Sequence, residues 1–79
     1  MIRKVFVEVV VRFDTEGKMT PISIKWEDGC VYEVDQVLDV RQAESLKAGG
    51  QGIRFTCRIG WRSTYLFYEN PRWFVEAKR

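Results

Sequence analysis

Apolar and polar residues alternate along most of the chain with a period of two, the pattern of strands that bury one face. Over residues 2–13, Val5, Val7, Val9, Val11 and Phe13 fall on one side and Lys4, Phe6, Glu8, Val10 and Arg12 on the other. At about 3.3 Å per residue that run reaches roughly 36 Å, longer than a usual strand, so it is expected to bend and serve both ends of a barrel or half-barrel. The polar stretch Asp14–Lys18, with Gly17 near its end, reads as a turn.

The stretch from Pro21 to Val34 predicts a hairpin with a definite register. Ile22, Ile24 and Trp26 alternate with Pro21, Ser23 and Lys25, and Glu27-Asp28-Gly29 follows as the turn. A two-residue loop at Asp28-Gly29 would set Trp26 opposite Val31 and Ile24 opposite Glu33, mixing the two faces. A three-residue loop, a type I turn closed by Gly29 in the left-handed conformation, pairs Trp26 with Cys30, Ile24 with Tyr32 and Ile22 with Val34. Only this register keeps one face apolar, and a slip of one residue would invert it. All six residues are therefore expected on one buried face. The strand continues to about Val40, and the adjacent apolar pair Val37-Leu38 breaks its phase, which predicts a β-bulge near Asp35-Gln36.

Residues 41–52 lack strand character and read as a glycine-rich insertion. Ala43–Ala48 could form a short helical turn stopped by Gly49-Gly50, or the whole could be a loop with Leu46 as its one large apolar side chain. Alternation then resumes: Ile53, Phe55, Cys57, Ile59 and Trp61 against Arg54, Thr56, Arg58 and Gly60. A tight turn at Trp61-Arg62 would face Ile59 with Thr64, Cys57 with Leu66 and Phe55 with Tyr68. The reversal at Glu69-Asn70-Pro71-Arg72 would face Tyr68 with Trp73, Leu66 with Val75 and Thr64 with Ala77. The chain thus reads as one all-β domain spanning residues 1–79. It is expected to be a small antiparallel meander barrel or half-barrel of the SH3-like kind, with about six strands and the insertion between the third and fourth. An open sheet covered by residues 41–52 is the alternative.

Composition narrows the function more than it identifies it. A chain of 79 residues, 46% hydrophobic and 14% aromatic, is one folded domain rather than a disordered segment. Its net charge of +2 does not by itself call for a polyanion. Residues 1–40 carry five basic and eight acidic side chains, and residues 41–79 carry eight basic and three acidic, so oppositely charged halves can dock on each other. Arg3 and Lys4 precede an apolar run that Glu8 and Arg12 interrupt, which does not read as a secretion signal. No stretch of about 18 apolar residues is present to span a membrane as a helix, and a cytoplasmic location is expected.

Candidate chemistry is sparse. There is no histidine, and Ser23, Ser45 and Ser63 have no evident activating partner, so a non-enzymatic protein is expected. Cys30 and Cys57 match no zinc spacing and fall on apolar faces, as small reduced core residues would. Glu33, Asp35 and Asp39 form an acidic stripe that reads as a solvated strand face. Gly49-Gly50-Gln51-Gly52 lacks the lysine and hydroxyl of a phosphate loop. No cofactor, metal or small-molecule substrate is implied.

The outer face of the last three strands is the remaining candidate. Arg54, Thr56 and Arg58 lie beside Tyr65 and Phe67, and these lie beside Phe74 and Glu76. Arginines among aromatics suit a single-stranded nucleic-acid platform, and equally a protein contact or homodimer. The plain alternative is a second apolar face covered by the first strand or by residues 41–52. Arg54, Arg58, Tyr65, Phe67 and Phe74 are the candidate binding residues.

Residues Pro21 through Leu38, with Trp26, Gly29, Tyr32, Val34 and Val37-Leu38, then Ile53-Arg54-Phe55, Tyr65–Tyr68 and Arg72–Val75, resemble small bacterial all-β domains of uncharacterised function. The closing Arg72-Trp73-Phe74-Val75-Glu76 also resembles the end of the C-terminal segment of inactive Y-family DNA polymerase homologues, adaptors in mutagenic repair. The first resemblance implies a fold and the second a binding role; neither carries catalytic residues. The reading is a small binding or adaptor domain with a protein partner. A nucleic-acid-binding β-barrel using the arginine/aromatic face is the alternative.

Overall fold

In the computed structural model, which describes residues 2–44 and 51–78, the long first strand serves two partners along its length. Strand β1 (Ile2–Phe13) pairs through Ile2–Val7 with β7 (Arg72–Lys78) and through Glu8–Phe13 with β2 (Met19–Lys25). The others are β3 (Val31–Glu33), β4 (Gln36–Glu44), β5 (Gln51–Ile59) and β6 (Arg62–Glu69). All seven form one antiparallel sheet in the order β3-β2-β1-β7-β6-β5-β4, curled into a half-barrel. The terminal strands of that order, β3 and β4, are consecutive in the chain, so Val34-Asp35 links the two ends of the curled sheet.

The hairpin register is as the sequence predicts: Ser23, Ile24 and Lys25 face Glu33, Tyr32 and Val31. The Trp26 N–H donates to the Cys30 carbonyl at 2.8 Å and the Gly29 N–H to the Trp26 carbonyl at 2.9 Å. Gly29 takes φ 91°, a value that side chains with a Cβ rarely adopt. The same three-residue loop recurs between β1 and β2, where the Asp14 N–H donates to Lys18, the Gly17 N–H to Asp14, and Gly17 has φ 85°. The Asp14 carboxylate accepts from the Lys18 and Glu16 amides at 2.8 and 2.9 Å, and these bonds hold its pKa below the ordinary value.

The concave side holds the core: Val5, Ile24, Phe55, Cys57, Leu66, Trp73 and Val75 are buried together. Trp73 is the hub, with ring centroids 5.3 Å from Phe55 and 4.7 Å from Tyr68. Val5, Val7, Val9 and Val11 face inward from β1 as expected, whereas Phe13, at the turn, is exposed.

Several expectations need correction. The expected third strand is two, β3 and β4, because the chain changes partner at Val34-Asp35. The bulge falls at Leu38, between Val37 and Asp39, not at Asp35-Gln36. Of the six residues expected on one buried face, only Ile24 is buried; Trp26 and Val34 are partly buried, and Ile22, Cys30 and Tyr32 are exposed. Ile22 is displaced because the β1–β2 register skips it, passing from Val10–Ser23 to Val11–Pro21, which turns Pro21 inward instead. Cys30 and Tyr32 share the inner side but stand at the barrel's rim, where nothing covers them completely.

The insertion is shorter than expected, since Arg41–Glu44 and Gln51–Gly52 belong to β4 and β5 and pair with each other. Ser45–Gly50, including the helical turn and the Leu46 anchor considered there, lies outside the described residues. The β5–β6 register is offset by two: the loop is Gly60-Trp61, so Phe55 faces Leu66 and Cys57 faces Thr64. An offset of two preserves the faces. Tyr68 faces Trp73 as expected, but among the described residues the β6–β7 ladder ends at Phe67–Phe74. Beyond it the strands diverge around a cleft of about 370 Å³ that includes Ile59, Thr64, Val75 and Ala77.

Candidate functional site

Antiparallel pairing sets one row of outward side chains abreast across five strands. Phe6 of β1 faces Phe74, Phe74 faces Phe67, Phe67 faces Arg54, and Arg54 faces Arg41 of β4. Four of the candidate residues, Arg54, Tyr65, Phe67 and Phe74, gather on or beside this row, and Arg58 lies further along β5 opposite Ser63.

The aromatic members are not equivalent. The Phe67 and Phe74 rings stack at 5.0 Å, 5° from parallel, and Phe6 meets Phe74 edge-on at 5.8 Å. Phe67 and Phe74 are only 4% and 2% exposed although they point away from the main core. The Lys4 ammonium lies 4.5 Å from the Phe74 ring centre and 3.3 Å from a Glu69 carboxylate oxygen, so one cation lies over the ring and pairs with an anion. The Arg72 guanidinium sits 3.5 Å from the centre of the exposed Phe6 ring. The Arg54 guanidinium lies 4.3 Å from the centre of Tyr65, and its Nε is buried without a hydrogen-bond partner among the described residues. Tyr65 is half exposed and Arg58 exposed.

These contacts divide the five candidates into support and surface. Phe67 and Phe74 spend their faces on each other and on Lys4, which leaves no open ring for a base or an incoming side chain. Tyr65, Arg58 and the partly buried Arg54 remain available at the surface.

The residue missed in the sequence is Trp61. It occupies the second position of the Gly60-Trp61 loop and is 88% exposed, with Arg62 stacked at 5.5 Å and Arg58 three residues before it. Gly60 has φ 64°, so the first loop position requires a residue without a Cβ. Asp35 holds this tip: its carboxylate accepts the Gly60 N–H at 2.6 Å, and its own N–H donates to the Arg58 carbonyl at 2.8 Å. A glycine at the first position of a two-residue hairpin loop was the available signal; the expected turn at Trp61-Arg62 set the loop one residue later and did not single out Trp61 as a surface residue.

The chemistry of the remaining polar groups is quiet. Burial raises the Cys57 thiol to about 11, so it stays protonated at neutral pH. The neighbouring Cys30 and Asp28 raise the Tyr32 phenol above its ordinary value. Among the described residues no three or more His, Cys, Asp or Glu side chains come together to hold a metal, and no helix is long and apolar enough to cross a membrane. No family model, curated protein or solved structure matches this chain.

Proposed function

We propose that this chain is a small non-enzymatic binding module, a half-barrel of the SH3-like kind acting in the cytoplasm, whose partner is a protein. The contact surface is the β5–β6 hairpin and the adjoining outer face, with Trp61 as anchor and Arg58, Arg62, Tyr65 and Arg54 around it. One observation carries the reading: Trp61 is almost wholly exposed on a loop that Asp35 tethers. A large aromatic held in place and flanked by arginines has the composition of an interaction hot spot, and ordering it on binding costs little entropy. Phe67 and Phe74 support this surface from beneath. The likeness of Arg72–Glu76 to the closing segment of repair adaptors leans the same way.

Nucleic acid is the second reading, because the exposed Trp61 indole beside Arg58 and Arg62 could stack on a base while the guanidinium groups meet phosphates. The stacked and buried Phe67 and Phe74 weigh against a broad platform of that kind. Affinity capture from the native host with the wild-type chain and with Trp61→Ala tests the protein reading. A partner held by the first and lost by the second supports it; identical captures overturn it. Titration with single-stranded oligonucleotides tests the alternative, since log affinity would fall with log salt at about −0.7 per phosphate contact.

A further inference from the structure

The sheet ends on one side in a long open edge. Strand β4 has nine residues and is last in the strand order, bonded among the described residues to β5 alone. The strand at the other end, β3, has only three residues. Sheet edges of this length are usually blunted by proline, lysine or cover. Gln36–Glu44 contains neither proline nor lysine; it carries a bulge at Leu38 and the charged residues Asp39, Arg41 and Glu44. Beside the edge, β2 and β4 diverge around a cleft of about 600 Å³ whose walls include Met19, Pro21, Leu38 and Val40. Leu38 and Val40 are each 46% exposed.

The backbone phase along β4 follows from the hairpin loops. Ile59 and Arg62 flank a two-residue loop and therefore form a hydrogen-bonded pair. Alternation then aims the Ile59, Cys57 and Phe55 amides at β6 and the Arg58, Thr56 and Arg54 amides at β4. The Arg58 carbonyl, which accepts from Asp35, agrees. Asp39 and Arg41, paired with Thr56 and Arg54, thus turn their backbone groups toward β5, and Val40 and Gln42 turn theirs to the open edge.

We infer that this edge pairs with β4 of a second copy of the chain, antiparallel and about a two-fold axis at Val40. The side chains select the occupant and the register. With Val40 opposite Val40 of the second copy, the outward amides form a hydrogen-bonded pair. Asp39 then stands opposite Arg41 of the second copy, and Arg41 opposite Asp39, at the positions where cross-strand side chains approach most closely. The Asp39–Arg41 pair within each chain, 2.7 Å apart with Arg41 exposed and Asp39 partly so, becomes half of a ring of four alternating charges. A register centred on Asp39 or on Arg41 puts like charges opposite each other. A shift by a single residue sets inner faces against outer faces. The strand is self-complementary in one register. This contact uses a different surface from the Trp61 tip, so each can fail without the other.

The test is sedimentation equilibrium of the full chain over a concentration series. A monomer–dimer equilibrium is expected for the wild type. Asp39→Arg or Arg41→Asp alone should weaken it by at least about tenfold. The double exchange Asp39→Arg/Arg41→Asp should restore it, and so should an equimolar mixture of the two single variants, each supplying one sign. Val40→Cys in a Cys30→Ser background should form a disulfide with itself under mild oxidation, since the axis passes beside that position. Val40 and Arg41 are exposed and Asp39 partly so, and circular dichroism of each variant confirms that it is folded. A wild type that stays monomeric to about 1 mM, the weak end of specific association, overturns the inference. So does a dimer that both single reversals leave intact, or one in which Val40→Cys does not cross-link.

Discussion

Val34 and Asp35 are neighbours in the chain, yet their amides bond opposite ends of the sheet. The Val34 N–H donates to the Ile22 carbonyl of β2 and the Asp35 N–H to the Arg58 carbonyl of β5, each at 2.8 Å. One peptide step therefore joins the β2–β3 and β4–β5 hairpins, which lie at opposite ends of the sheet. The Asp35 side chain extends the link by holding Gly60 at the tip that presents Trp61.

Asp35→Ala should loosen that tip. The carboxylate–amide bond is charge-assisted but solvent-exposed, so the expected loss is about 1 kcal/mol in urea unfolding. Amide exchange at Gly60 should accelerate by more than the global loss explains. Unchanged exchange at Gly60 would show that the tether does not order the loop.

Gly29→Val should destabilise the fold by about 1–2 kcal/mol, because a β-branched residue is forced to positive φ. No atom crowds a Cβ added at Gly29, so the cost is conformational rather than steric. Gly29→Asn, which tolerates the left-handed region, should recover part of it. Equal stabilities for Gly29→Val and the wild type would refute the left-handed requirement.

Phe67→Ala should cost about 3–5 kcal/mol, the range for an aromatic removed from a packed site. Trp61→Ala should change stability by less than about 0.5 kcal/mol, as exposed substitutions do. Denaturant midpoints of the two variants distinguish support from surface. A mild Phe67→Ala would mean that the Phe67–Phe74 stack contributes little to the fold.

Cys30 should react readily with a thiol reagent at pH 8, and Cys57 only on unfolding, since Cys57 is buried and its thiol is raised to about 11. The sign for stability follows from that direction. The folded state binds the Cys57 proton more tightly than the unfolded chain, so the contribution is complete below the unfolded thiol's value of about 8.5. It is lost as the pH climbs from there toward about 11. Cys57→Ala should flatten this alkaline decline; an unaltered decline would assign it to other groups.

Local patterns were sufficient where a turn and its flanking alternation admitted only one arrangement. Gly29 and the apolar positions around it determined the β2–β3 register, the Asn70-Pro71 reversal determined Tyr68 opposite Trp73, and the length of the first strand let it serve two partners. The β5–β6 loop admitted two placements one residue apart, which shift the register by two. Both keep Phe55, Cys57 and Leu66 inward and Trp61 in the loop, so periodicity could not choose between them or state how far Trp61 is exposed.

Tertiary structure decided which faces are covered. Alternation states that Ile24 and Tyr32 share a side, but only the curl of the sheet buries the first and leaves the second at the rim. Alternation likewise joins Arg54, Phe67 and Phe74 on the outer side. It does not state that the two rings stack on each other beneath Lys4 while Arg58 and Tyr65 stay accessible. A period of two is a property of one strand's backbone. Burial and an open edge such as that of β4 depend on where residues distant in sequence come to lie, and here that is decided at Val34-Asp35, where the chain passes from one end of the sheet to the other.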